Sequence, residues 1–353
     1  MSFIISGIQQ IGVGIPEVHK AWAWHRKHFG MDVPVFEEQA EAGLMTPYTG
    51  GVVQSRHAVM ALNMAGGAGM EIWQYTSRQT APPTVKTELG DYGIYITRIK
   101  SNDVEAAYTW FKAQPVKLLS ELVRDPAGQS HFFVEDPYGL IYQVVPGTSW
   151  FTPPQHHTGG PSGCMIGVSD IDRARTLYSD LLGYDEVVYD ESGTFDDLAG
   201  VSNGTPVKVR RVLLRHSKPR KGGFSRLLGA SELELVKVYD RVPKPIFKDR
   251  FWGDLGFIHL CFDVRGMDAL EKACQEKGFN FTVDSMNTFD MGEASGRFSY
   301  IEDPDGTLIE FVEAHKMPIM KKWGWYLNLK DRDPEKPLPN WMLKALRFSR
   351  VKE

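Results

Sequence analysis

Cysteine is scarce in this chain: Cys164, Cys261 and Cys274 are the only three among 353 residues, and no two form a CxxC pair. That excludes a disulfide framework and suits a reducing compartment. Long apolar runs are missing too, since none approaches the roughly 20 residues of a membrane-spanning helix. The start, Met1-Ser2-Phe3-Ile4-Ile5-Ser6, lacks the basic region and cleavage pattern of a secretory signal, so a cytoplasmic location is expected. Nor is there an excess of positive charge. Lys and Arg number 40 against 44 Asp and Glu, a net charge of -4 that gives nucleic acid no electrostatic footprint. What is present is a globular composition, 42% hydrophobic and 24% charged, which excludes a disordered or fibrous chain. The length calls for two or three domains. A multi-domain protein that handles a small molecule remains.

Internal repeats organise the chain. Ile8 to Ile15 reads as a strand, Glu17 to Phe29 as a helix, and Gly30 as its stop. The same order returns 153 residues later in Gly163 to Val168, Asp170 to Leu182 and Gly183. A second pair begins at Gly90-Asp91-Tyr92-Gly93 and Gly253-Asp254-Leu255-Gly256, at an offset of 163 residues. Each is followed by a strand, then a helical segment (Asp103 to Ala113, Gly266 to Lys277), then a shared turn. The turns are Asp136-Pro137-Tyr138-Gly139 and Asp303-Pro304-Asp305-Gly306. Proline pre-sets φ in such a turn and glycine permits a positive φ. Apolar strands, Leu140 to Val145 and Thr307 to Val312, close the units.

Four units of strand, helix and three strands, two of them closed by Asp-Pro-x-Gly and a strand, resemble the vicinal oxygen chelate superfamily of glyoxalases, bleomycin resistance proteins and extradiol dioxygenases. The resemblance spans nearly all of residues 7 to 315. It is strongest in His259-Leu260-Cys261-Phe262-Asp263-Val264 and in Asp303 to Glu310. It implies an α+β fold of four βαβββ modules paired into two glyoxalase-like domains. Residues 1–150 are expected to form the first and 158–315 the second, with a basic, Trp-rich, partly helical tail at 316–353.

In that superfamily the first and last strands of paired units hold a divalent metal, here Mn, Fe, Ni or Zn. Carried over, the positions in the first half are Gln10, Glu71, Ile96 and Gln143, a degenerate set. Those in the second half are Gly163, Glu234, His259 and Glu310. The resemblance therefore implies a metal held by His259, Glu310 and Glu234, since two carboxylates and an imidazole suit such ions. Glu310 and Glu234 are the candidate catalytic bases. Gly163 in place of a histidine departs from the two-His-one-carboxylate triad of the dioxygenases.

Each candidate has a plainer alternative. Glu232 shares a strand face with Glu234 and can take its place. Cys261 shares a face with His259 but is commonly a small buried hydrophobe. His131 reads as a half-exposed strand residue. The basic segment Lys218 to Arg226 is either a solvated hairpin tip or a lid over the metal for an anionic substrate. In the tail, Trp323, Trp325, Trp341, Leu343, Leu346 and Phe348 are too apolar to be left in water. A helix over Trp341 to Val351 is expected to pack on the body or on a second copy in a homodimer.

The expected function is that of a metal-dependent isomerase, epimerase or lyase acting on a small oxygen-chelating substrate through an enediolate. Two alternatives stand beside it. One is an Fe(II) dioxygenase of the extradiol or 4-hydroxyphenylpyruvate type, and the other a metal-free small-molecule binding protein.

Overall fold

The computed structural model describes residues 2–202, 204–286, 289–290, 295–320 and 325–351. The first unit runs β1 (Ile4–Gly14), α1 (Val18–Phe29), β2 (Val33–Glu41), β3 (Ser55–Leu62) and β4 (Gly69–Tyr75). The second runs β5 (Gly93–Ser101), α2 (Val104–Lys112), the short β6 (Lys117–Leu118) and β7 (Val123–Arg124), β8 (Ser130–Glu135) and β9 (Ile141–Pro146). The third comprises β10 (Pro161–Gly167), α3 (Ile171–Tyr178), β11 (Glu186–Gly193), β12 (Val209–Arg215), the one-turn α4 (Ser225–Leu228) and β13 (Glu232–Val238). The fourth comprises β14 (Gly256–Arg265), α5 (Met267–Glu276), β15 (Val283–Asp284), β16 (Phe289–Asp290), β17 (Ser295–Glu302) and β18 (Leu308–Met320). A last strand, β19 (Trp325–Asn328), and α6 (Asn340–Ala345) follow.

Local chemistry accounts for these elements. Asp103 and Asp170 accept hydrogen bonds from the Ala106 and Arg173 N–H groups and so cap α2 and α3. Gly30, at φ 61°, ends α1 in the left-handed conformation. In each Asp-Pro-x-Gly turn one carboxylate oxygen accepts two backbone N–H bonds, Asp136 from Tyr138 and Leu140, Asp303 from Asp305 and Thr307.

Strand pairing departs from the expected contiguous domains. The first unit joins the fourth through antiparallel β1 and β14, in a sheet ordered β15-β17-β18-β14-β1-β4-β3-β2. The second joins the third through β5 and β10, in the order β11-β12-β13-β10-β5-β9-β8-β6. Each curled sheet therefore draws on both halves of the chain, instead of 1–150 forming one and 158–315 the other. The fold class stands: two glyoxalase-like domains of paired modules. Helices α1, α2, α3 and α5 and one face of each sheet share a single apolar core that includes Ile11, Phe29, Phe111, Ile166 and Leu270. Burying one such side chain contributes roughly 1.5–3 kcal/mol, so the two sheets are held as one body by that shared layer.

The tail does not begin at 316 as a separate element, because β18 continues to Met320 and pairs with β19. Leu338 and Leu343 then bury against Val33, Leu62 and Leu227. Helix α6 gives way after Ala345 to a 3-10 turn, Leu346–Ser349, so it is shorter than expected. Trp341 and Phe348, expected under cover, are 56% and 71% exposed. Trp323 lies outside the described residues. Among the described residues no helix is long and apolar enough to cross a membrane.

Candidate metal centre

Glycine 12 stands at the centre of the first sheet, opposite Glu71 on β4 and opposite His259 on β14. Directly paired residues share a face, and so do residues two apart on one strand. Gln10, Glu71 and His259 therefore point the same way. Glu310 joins them, since it pairs with Cys261, two residues beyond His259. A Cβ on Gly12 would lie 2.4 Å from the His259 ring, so this glycine provides the space the imidazole occupies.

Glu71, His259 and Glu310 bring their donor atoms within 4.8 Å of one another. His259 Nε2 is 3.3 Å from Glu71 Oε2 and 3.2 Å from Glu310 Oε2. Neither contact has hydrogen-bond geometry, and both ring nitrogens and Glu310 Oε2 are buried without a hydrogen-bond partner. Gln10 Nε2 donates to Glu71 Oε2 at 2.9 Å. Burial pushes the Glu71 carboxyl up, but the imidazole of His259, with Arg56 and the Gln10 amide, outweighs it and leaves it below the ordinary range. Glu310 moves up, because burial and the charge of Glu71 outweigh the pull of His259. Burial alone would lower His259, yet Glu310 and Glu71 together raise it. Three buried polar atoms without hydrogen-bond partners, on one imidazole and one carboxylate, are costly in a folded protein. One imidazole, two carboxylates and one amide are also donors a divalent first-row metal accepts. The donor set fits such an ion.

Glu234, expected beside His259 and Glu310, stands in the other sheet. Its carboxylate accepts from Arg211 Nε at 2.7 Å and from Arg98 Nη1 at 3.0 Å, with all three side chains buried. Burial raises Glu234, but the two guanidinium groups more than reverse that. Its neighbour Glu232 accepts from Arg98 Nη2. The remaining equivalent positions are Gly163 and Ile96, which have no side-chain donor, and Gln143, which accepts from Arg98 and contacts His131. His131, expected half-exposed, is buried and contacts Asp197 at 3.1 Å, while Asp197 receives Arg211. In the second sheet, then, guanidinium groups neutralise the carboxylate that its counterpart, Glu71, directs toward His259.

Gln10 and Glu71, which fall in the degenerate set when the metal is assigned to one half, lie beside His259 and Glu310 in the structure. Their signal was complementarity. Units one and four together supply an amide, two carboxylates and an imidazole, whereas units two and three supply one carboxylate and one amide. Cys261 is fully buried beside Gln9, and burial followed by Glu310 raises its thiol pKa, so it stays protonated. Among the described residues, the contacts of the basic segment 218–226 lie away from this centre. Lys221 pairs with Glu335, Arg220 caps the Leu182 carbonyl, and Arg226 meets Asn340.

The profile of the Glyoxalase/Bleomycin resistance protein/Dioxygenase superfamily matches residues 7–144 and 156–311, and the chain belongs to that superfamily. Glyoxalase I from Zea mays is similar in structure, with a TM-score of 0.53 at 14% identity over 97% of this chain and 96% of that one. A putative dioxygenase from Bacillus subtilis is similar at a TM-score of 0.55 and 12% identity, over 88% and 85%. At those identities the likeness concerns the fold. No curated protein matches the sequence.

Proposed function

We propose that Gln10, Glu71, His259 and Glu310 hold one divalent metal, and that the protein is a lyase or isomerase acting on a small substrate with two neighbouring oxygens. The observation that carries this is the His259 imidazole, buried between two carboxylates with neither ring nitrogen satisfied. A metal bound there would act as a Lewis acid, stabilising negative charge on the substrate oxygens as a carbon-bound proton leaves. Glu310 is the base. One of its carboxylate oxygens has no hydrogen-bond partner and is available to take a proton. Glu71 is held by Gln10 and serves as the fixed anionic ligand. Trp73, Trp252 and Tyr300 cluster on the same side of the sheet and keep water from the reacting carbon. A single imidazole, where the dioxygenases use two, favours proton transfer over oxygen activation.

The test follows deuterium uptake by hydroxyacetone, a minimal compound with two neighbouring oxygens, at its carbinol carbon in D2O. Manganese-loaded protein under nitrogen should catalyse exchange, and Glu310→Gln should lose it at least about a hundredfold. Exchange that needs Fe(II) and consumes oxygen would overturn the assignment in favour of a dioxygenase. Equal exchange in Glu310→Gln would remove its role as base.

A further inference from the structure

The opposite face of the same sheet carries a second convergence of metal-binding side chains. Val59 pairs with Ile72 and with Glu37, and His57 lies two residues from Val59 opposite Gln74. Glu37, His57 and Gln74 therefore share the face on which α1 packs, away from Glu71. Gln74 Oε1 accepts the Val18 N–H and fixes the first turn of α1 over these strands. His19, the next residue, lies over Glu37. Its Nε2 is 2.7 Å from Glu37 Oε1, and His57 Nε2 is 3.1 Å from the same oxygen. The two rings meet edge to face at 5.0 Å between centroids.

We propose that His19, Glu37 and His57 form a second metal site, selective for borderline transition ions such as zinc and separate from the centre proposed between Glu71 and His259. Two imidazoles and a carboxylate whose donor atoms lie within 4.8 Å are a three-ligand set that leaves coordination positions for water. Tetrahedral zinc spaces its ligand atoms about 3.3 Å apart, given bonds of about 2.0–2.1 Å. The His57–Glu37 spacing needs to open by about 0.2 Å and the His19–Glu37 spacing by about 0.6 Å. His57 and Glu37 project from paired strands, and the His57 side chain is only 14% exposed, so two of the three ligands are held before an ion arrives. His19 is 64% exposed and free to adjust. An ion there ties the start of α1 to β2 and β3. Because α1 buries Trp22, His25 and Phe29 in the central core, such a tie stabilises the whole fold by mass action.

Metal-free full-length protein titrated with zinc, then passed through gel filtration and analysed for metal, decides the matter. Wild type should retain two ions per chain and the His19→Gln/His57→Gln double variant one. Glutamine keeps a hydrogen bond to Glu37, so the apo fold is preserved. His259→Ala should also retain one ion, and zinc should still raise its unfolding temperature, an increase that disappears when His19 and His57 are replaced as well. Equal zinc content in wild type and the double variant would overturn this site. If wild type holds a single ion lost in His259→Ala, the surface site fails and the interior one stands. If that single ion is lost instead in the double variant, the interior site fails.

Discussion

The His259 Nε2 atom lies 3.3 Å from a carboxylate oxygen of Glu71, although the two residues belong to opposite halves of the chain. Strand β1 makes the contact, since Gly12 pairs with both. Replacing Gly12 by alanine puts a methyl group into the space of the imidazole. Overpacking of this kind costs about 1–3 kcal/mol. Gly12→Ala should therefore unfold at lower denaturant, and metal titration should show affinity weakened at least about tenfold. Unchanged affinity would mean that the ring is not positioned by this glycine.

Glu234 bridges Arg98 and Arg211 inside the second sheet, where Glu232 and Asp197 complete the network. Arg98 keeps Glu232 and Arg211 keeps Asp197, so removing Glu234 strands the two buried N–H groups aimed at it, at about 1–3 kcal/mol each. Glu234→Ala should lose that much in urea unfolding, and Glu234→Gln less, because the amide oxygen still accepts one guanidinium bond. A loss below about 1 kcal/mol for Glu234→Ala would argue against a closed ion network.

A pH dependence is built around His25. The buried ring contacts the Ala21 carbonyl through Nδ1 and the Tyr142 hydroxyl through Nε2. Burial lowers its pKa from 6.5 to about 4. The unfolded chain thus takes up a proton near pH 6.5 that the folded chain refuses until about pH 4, and stability falls as pH drops through that window. The full difference corresponds to about 3 kcal/mol. Asp136 works in the opposite direction, since burial raises its pKa to about 7 and the folded state gains stability as pH falls. The informative quantity is therefore wild type minus His25→Gln. Denaturant unfolding from pH 7 to 4 should show the difference shrinking toward low pH. A constant difference would contradict the assignment.

Much of this fold is readable from local signals. The apolar spacing of Val18, Ala21, Trp22 and Phe29, the aspartate caps at 103 and 170, and the two Asp-Pro-x-Gly turns mark helices and turns through short-range physics. The partner of each unit is not readable in this way. Strands β1 and β10 carry the same edge pattern, and the choice between β5 and β14 as neighbour is made by packing far apart in sequence. That single ambiguity places Glu234 beside His259 in the sequence reading, whereas Glu71 stands there in the structure. The end of β18 is not readable for a related reason, because its last residues are held by pairing with β19 instead of by their own periodicity.

The proposed metal centre is shared by the first and fourth units. Metal analysis of Glu71→Ala beside Glu234→Gln, each loaded with zinc and passed through gel filtration, tests it most directly. Glu71 loses its contact to His259 in the first variant, while the second perturbs only the arginine network. Glu71→Ala should retain one ion per chain fewer than wild type, and Glu234→Gln should match wild type. Full retention in Glu71→Ala would remove Glu71 from the centre, and a lost ion in Glu234→Gln would move the metal to the second sheet.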